Sequence, residues 1–219
     1  MNQTFMVLVA GSHHAGYAHT ICEEMAASAK ARGTGIAKRT PEYVEKKMLE
    51  GKAVIALTND GEWAGFCYIE SWSHGEYVAN SGLIVAPQFR KSGLAKQIKK
   101  RVFELSKTLY PESKIFGLTT GLAVMKINSD LGYEPVTYAE LTQDDAFWAG
   151  CTSCVNYEIL MSKGRMNCLC TAMLYDPKDH FPPEVTARQF RKKAKIYERL
   201  LRIKKLFIKK TKVLVSLTW

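Results

Sequence analysis

Apolar residues along this chain recur at two spacings. Short runs of bulky and β-branched side chains predict strands, and stripes repeating every three to four positions predict helices. Thr4–Ala10 reads as a first strand. Gly11 to Ala15 is a turn with Ser12 as a helix cap. A helix over Ala18–Ala31 then turns Ile21, Met25, Ser28 and Ala29 inward. Thr40-Pro41 opens a second helix, a cap residue followed by proline, which runs to Leu49. Ala53–Thr58 and Trp63–Glu70 are predicted strands joined by the hairpin turn Asn59-Asp60-Gly61-Glu62, with Gly65 at a bulge. After a loop over Trp72–Glu76 comes a strand over Tyr77–Val85. A helix from Leu94 to about Leu109 follows, stopped by Pro111. Then come a strand over Lys114–Thr120 and a short helix over Ala123–Asp130, which Gly132 closes with a left-handed cap. Val136–Leu141 and Cys168–Tyr175 are further strand candidates on either side of an irregular, cysteine-rich insert within residues 142–170. The order is β-α-α-β-β-β-α-β-α-β-β, a mixed α/β class with helices on both faces of a central sheet.

The stretch from Gly82 to Ala95 organises the rest. Leu83 to Ala86 ends a strand, and Pro87, lacking an N–H, closes it. Arg90 to Ala95 is a basic loop with one glycine. Leu94, Ile98, Val102 and Leu105 then share one helical face, with Lys96, Lys99, Lys100 and Arg101 mostly on the other. A strand, a tight basic loop and a helix N-terminus suit an anion: the first helical N–H groups lack partners and the dipole adds positive charge. An ordinary strand–loop–helix connection is the plainer alternative.

Arg90-x-x-Gly93-x-Ala95 after a Val-x-Pro strand end resembles the acyl-CoA-binding motif of the GNAT N-acetyltransferase superfamily. The resemblance covers residues 1–176 and implies a GNAT fold, acetyl-CoA as co-substrate and an amine as acceptor. It implies that Leu83, Ile84 and Val85 pair with the pantetheine arm, and that Arg90, Lys91, Ser92, Gly93, Leu94 and Ala95 hold the pyrophosphate. Lys91 departs from the glycine commoner at its position. Leu131-Gly132-Tyr133 is similar to the family's glycine–aromatic end to its last helix. Three further stretches, Arg32–Arg39, Phe66–Glu70 and Leu118–Tyr133, resemble stand-alone bacterial GNATs of arginine biosynthesis that act as N-acetylglutamate or N-succinylglutamate synthases.

Acyl transfer to an amine needs a group to take the amine's proton, a polarised carbonyl and a stabilised leaving thiolate. Glu70, at a strand end, is the first candidate base, with His74 and Glu76 next in the adjoining loop. The tyrosine that many GNATs use as acid falls on Asn128, which cannot donate such a proton. The role passes to a neighbour such as Ser129, or the thiolate leaves unaided. Arg32, Lys38 and Arg39, in the loop where the family shapes its acceptor pocket, suit a carboxylate-bearing acceptor such as glutamate. A polyamine, an antibiotic or a protein amine is the second enzymatic reading. A non-catalytic CoA-sensing or nucleic-acid-binding or membrane-binding module is the third.

Composition adjusts this picture in three places. Of the 219 residues 47% are hydrophobic, enough for one domain with an appendage, and no apolar run approaches the roughly 20 residues of a membrane span. The first residues lack the basic start of a signal peptide, so the expected location is the cytoplasm. The net charge of +10 is not evenly spread: residues 181–219 hold 12 of the 31 Lys and Arg but two of the 21 Asp and Glu. The body, residues 1–178, is therefore close to neutral, and residues 179–219 form a basic amphipathic helical tail beyond Pro182-Pro183. That tail packs on the body or on a second subunit in a homodimer, lies on a membrane surface, or contacts nucleic acid. Finally, Cys151-x-x-Cys154 and Cys168-x-Cys170 suit a structural Zn²⁺ site, with free buried thiols, a redox pair or an iron–sulfur cluster as the alternatives.

Overall fold

The computed structural model describes residues 4–33 and 38–180. The chain divides after Pro177 into two units. The strands of the first unit, Met1–Pro177, are β1 (Phe5–Val9), β2 (Ala53–Thr58), β3 (Trp63–Trp72), β4 (Tyr77–Val85), β5 (Lys114–Thr119), β6 (Glu134–Val136) and β7 (Thr171–Tyr175). Its helices are α1 (Ala18–Arg32), α2 (Pro41–Leu49), α3 (Leu94–Leu109), α4 (Leu122–Asp130), α5 (Asp145–Ala149) and α6 (Tyr157–Ser162).

The strands form one sheet in the order β1-β2-β3-β4-β5-β7-β6. Neighbours are antiparallel except β4 and β5, which run parallel. Every residue of β2 is buried, so this strand is covered on both faces. One cluster of buried side chains joins α1, α2 and α3 to β1–β4, with Ile21, Val44, Phe66, Ile69, Ile98 and Val102 among its members. A second, around Phe116, Tyr138, Trp148 and Leu160, lies under the insert.

Parallel pairing between β4 and β5 is confined to Tyr77–Ala79 against Lys114–Phe116. Beyond Ala79 the two strands part, while β5 stays paired on its other edge with β7 from Ile115 to Thr119. A bulge bends β4 at the same place: the register with β3 slips between Phe66↔Ile84 and Tyr68↔Ser81, so Gly82 and Leu83 together face Cys67. Gly82 has φ +65°, and a Cβ there would stand 2.5 Å from Cε1 of the Tyr68 ring. Only glycine fits both the backbone and the space. A fork in the sheet results, with backbone N–H and C=O groups of β4 left along its edge.

The elements follow the apolar spacing closely, and the differences have local causes. Gly11, not Ser12, caps the turn Ser12–Tyr17, and its N–H donates to Nδ1 of His14 at 3.0 Å. The bulge expected at Gly65 falls beside it, at Ala64. Gly65 answers a different need, since a Cβ there would meet Cδ1 of Ile98 at 2.5 Å, so the glycine lets α3 approach the sheet. The strand expected over Val136–Leu141 stops at Val136, because Thr137 and Glu140 form a capping box around the turn Tyr138–Glu140. β7 starts at Thr171, leaving Cys168 and Cys170 in the preceding loop. The irregular insert contains α5 and α6, too short for periodicity to reveal.

Candidate active site

The loop ahead of α3 takes the shape its sequence asks for. Pro87 begins a short turn, Pro87–Phe89, and the Ser92 hydroxyl donates to the Phe89 carbonyl at 2.6 Å. Lys91 and Gly93 both have positive φ, +66° and +81°. Positive φ explains why glycine suits position 91, and it strains the lysine that stands there. Gly93 caps α3, whose first N–H groups point into the loop. Arg90 spans to α1: its guanidinium donates to the Val85 carbonyl at 3.1 Å, to Glu24 at 2.6 Å and to Ser28 at 2.8 Å. Arg90 thus braces the loop against α1. The exposed Lys91 leaves the loop mouth cationic, whereas Lys96 pairs with Asp130 at 2.8 Å. Ile84 and Val85 are buried, and Ala95 is half-buried and packs against the core.

A cavity of about 500 Å³ opens at the fork. It passes between β4 and β5 and has two unlike walls. Glu70 and Ala79 are register partners and share one face of the sheet, the face of α2. Asn80, one residue on, points to the opposite face, the face of α3.

On the α2 side stand Arg39, Tyr43, Tyr68 and Glu70. Oε2 of Glu70 accepts from Lys47 at 3.0 Å. Oε1 is buried with no hydrogen-bond partner among the described residues. Burial pushes the Glu70 carboxyl up to about 7, against the pull of the Arg39 guanidinium. Burial likewise pushes the Lys47 ammonium down. Arg39 donates through Nε to the Tyr68 hydroxyl at 2.6 Å and lies over the Tyr43 ring at 5.2 Å from its centroid.

On the α3 side stand Asn80, Lys99 and Asn128. Oδ1 of Asn80 accepts from Lys99 at 3.1 Å and from the Tyr133 hydroxyl at 3.0 Å, while its Nδ2 donates to Ser106 at 2.7 Å. Asn128 is 1% exposed, and its Oδ1 has no partner among the described residues. Buried polar atoms without partners are rare in folded proteins. Of the four such side-chain atoms among the described residues, Glu70 Oε1 and Asn128 Oδ1 belong to lining residues of this one cavity.

The structure thus brings together Glu70, Asn128, Leu83 and Arg39, four residues expected from the sequence. It leaves others outside. His74 and Glu76 are exposed on the turn between β3 and β4 and line no described cavity; His74 has φ +55°. Ser129, next to Asn128, is exposed on the outer side of α4. Lys38 is exposed, and its backbone N–H donates to Ser153 at 3.2 Å. The side chain of Arg32 lies outside the described residues, as does the tail from Phe181 onward.

Lys99 departs outright from the place its spacing predicts. The polar side of α3 is expected to carry it, yet it is 2% exposed and faces the sheet. A line Lys99–Val102–Phe103–Ser106 runs beside the apolar stripe, and its two polar ends disguise it. Lys47 is disguised in a similar way, lying three positions after the buried Val44 on α2.

The four clustered cysteines are free thiols. They border a separate small cavity of about 30 Å³ with Tyr138, Trp148 and Leu160, and Cys151 and Cys170 also reach the larger one. No group of three or more His, Cys, Asp or Glu among the described residues is placed to hold a metal ion. Since Cys168 and Cys170 precede β7, strand alternation does not turn both to one face, and the expected Zn²⁺ finds no support here. Burial pushes the Cys151 thiol up to about 11 and the Cys170 thiol up to about 12, with their neighbouring thiols adding to both shifts.

No protein-family model matches the chain. No curated protein matches it either. Solved structures do. N-acetylglutamate synthase from Neisseria gonorrhoeae, complexed with coenzyme A and N-acetyl-glutamate, superposes with a TM-score of 0.56 at 15% identity, over 80% of this chain and 36% of that one. The chain therefore spans about a third of that synthase. Rv2747 from Mycobacterium tuberculosis, in complex with CoA, gives 0.55 at 14% identity over 78% of this chain and 98% of that one. A phosphinothricin acetyltransferase of the GNAT superfamily from Sinorhizobium meliloti, in complex with AcCoA, gives 0.51 at 15% identity over 80% and 89%. At these identities the likeness establishes the fold. No helix among the described residues is long and apolar enough to cross a membrane.

Proposed function

We propose that this chain, which has the GNAT fold, moves an acetyl or other small acyl group from acyl-CoA to the amine of a small acidic acceptor such as glutamate. One observation carries the reading: Glu70 and Arg39, from distant parts of the sequence, wall the same cavity at the open fork of β4 and β5. The pantetheine arm pairs with the free edge of β4 at Leu83, Ile84 and Val85. Its pyrophosphate sits on the loop from Arg90 to Ala95, where the α3 N-terminus and Lys91 supply positive charge. The acceptor amine meets Glu70, and the acceptor carboxylate meets Arg39.

A carboxyl near 7 is half ionised at neutral pH, so Glu70 is poised to take the proton that the amine loses on attack. Glutamate as acceptor is supported by the cation at Arg39 and by the bound N-acetyl-glutamate of the Neisseria synthase. It connects the chain to arginine biosynthesis.

Thiol release from acetyl-CoA, measured against glutamate, other amino acids and polyamines, tests the reading. Glutamate is expected to be the preferred acceptor. Arg39→Ala is expected to raise its KM by about tenfold, the loss of one charge-assisted contact, with kcat little changed. Release only with polyamines, antibiotics or protein amines overturns the acidic acceptor and keeps the transferase. Acetyl-CoA binding without transfer to any acceptor moves the assignment to a CoA-sensing module.

A further inference from the structure

Lys99 is buried in the core and lines the cavity at the fork, on the face of the sheet opposite Glu70. An ammonium is rarely buried without a carboxylate to pair with it. Here the groups around Nζ come from four elements. Cys67 of β3 lies nearby, Asn80 of β4 accepts at 3.1 Å, Ser106 of α3 holds Asn80 from behind, and the Tyr133 ring after α4 lies with its centroid 4.9 Å away. None is an acid of the carboxylate type. Besides the Lys99 bond, Asn80 donates to Ser106 and accepts from Tyr133, and these two bonds fix the direction of its carbonyl oxygen and so of the amine that donates to it. Such an arrangement holds a proton donor in place and leaves it without a counter-charge. α4 carries no acid at the cavity, since Asn128 cannot donate a proton of this kind and Ser129 is exposed.

We propose that Lys99, oriented by Asn80, is the proton donor to the sulfur that leaves the acyl donor. The proposal rests on the acyl-CoA reading above. The acceptor nitrogen attacks the thioester carbonyl carbon, and the C–N bond forms. The C–S bond breaks, and its electron pair stays on sulfur. Glu70 takes the proton lost by the nitrogen, and Nζ of Lys99 gives one to the sulfur. Glu70 ends neutral, Lys99 ends as a neutral amine, and one proton passes between them through solvent before the next cycle. Burial also pulls the Lys99 ammonium down to about 8, which brings it near the working pH as a donor.

The test needs no acceptor. Full-length protein is titrated with CoA and with desulfo-CoA, which lacks the sulfur. The ultraviolet thiolate absorbance of the CoA complex, less that of the desulfo-CoA complex, is followed against pH. While Lys99 is still an ammonium, its charge is expected to ease ionisation of the neighbouring sulfur about tenfold relative to free CoA, the mark of an Nζ that reaches the sulfur and matches its proton affinity closely enough to pass it a proton. In Lys99→Met the bound thiol is expected to titrate at or above its free value, with desulfo-CoA affinity and Tm retained. A merely structural lysine would change the last two and not the first. Lys99→Gln repeats the measurement if the methionine variant does not fold. Equal thiol titration in the native protein and the variants overturns the proposal. Failure of the native protein to bind CoA at all overturns the acyl-CoA reading instead. Once an acceptor is known, kcat of the native protein is expected to fall as pH rises through about 8, and Lys99→Met to lack that limb.

Discussion

The two walls of the cavity solve the same problem in opposite ways. On the α2 side the ionisable groups are paired: Glu70 with Lys47, and Arg39 with the Tyr68 hydroxyl and two aromatic rings. On the α3 side one ammonium is buried among neutral partners. Burial shifts both principal groups toward their neutral forms, raising Glu70 and lowering Lys99. A carboxylate and an ammonium lying on opposite faces of one sheet, joined only through its fork, can each exchange a proton near neutral pH. Had they met on one face, their attraction would have opposed both shifts, as the Arg39 guanidinium and the Lys47 ion pair oppose that of Glu70 without cancelling it. Separation by the sheet keeps them available for chemistry.

Removing the carboxylate breaks this contrast most severely. Glu70→Gln is expected to lower kcat/KM by about 10²–10⁴, the usual contribution of a positioned base. The native protein should gain activity as pH rises through about 7, since only the ionised carboxyl accepts a proton, and the variant should lack that rise. A pH profile of acetyl-CoA turnover checks both.

Closing the fork comes next. Gly82→Ala places a Cβ 2.5 Å from the Tyr68 ring at a φ of +65°. A loss of about 1–3 kcal/mol in unfolding free energy is expected from the strain, with weaker CoA binding because the bulge of β4 relaxes. Urea unfolding and CoA titration measure the two effects.

The smallest effect concerns the buried ammonium as a stability term. Its pKa is lowered on folding, from 10.5 to about 8, so the unfolded chain binds more protons between those values. Stability is therefore expected to rise with pH across that window, as far as Lys99 governs it. Lys99→Met should remove this rise and leave the protein as stable or more stable at neutral pH, because an uncompensated buried charge is replaced by an apolar chain of similar length. Thermal unfolding at a series of pH values checks it. A fall in stability at neutral pH would mean that Lys99 serves the fold and not the site.

Much of the architecture is legible along the chain. The predicted strands over Ala53–Thr58 and Tyr77–Val85 and the helix over Leu94–Leu109 match their observed bounds. Their apolar spacing is long and regular, and Pro87, Gly93 and Pro111 punctuate it. Glu70 and Arg39 are also legible as candidates, one as a carboxylate near the end of a strand, which continues two residues further to Trp72, and the other as a cation in a loop. Local grammar fails where a side chain's partner is distant in sequence. Lys99 reads as a surface lysine until β4 places Asn80 against it, nineteen residues away. Ser129 and Asn128 are neighbours in sequence, yet the turn of one helix buries one and exposes the other.

Spacing and punctuation alone determined the order of elements outside the insert, the strand–loop–helix that suits a phosphate, and the concentration of charge beyond residue 180. Only the tertiary structure decided that β4 and β5 part beyond Ala79, that Gly82 makes room for the bulge, and that Glu70 and Lys99 share a cavity from opposite faces. Secondary structure follows from contacts a few residues apart. The ionisation of Glu70 and Lys99 follows from how completely the folded chain shields each from water, and no local pattern contains that quantity.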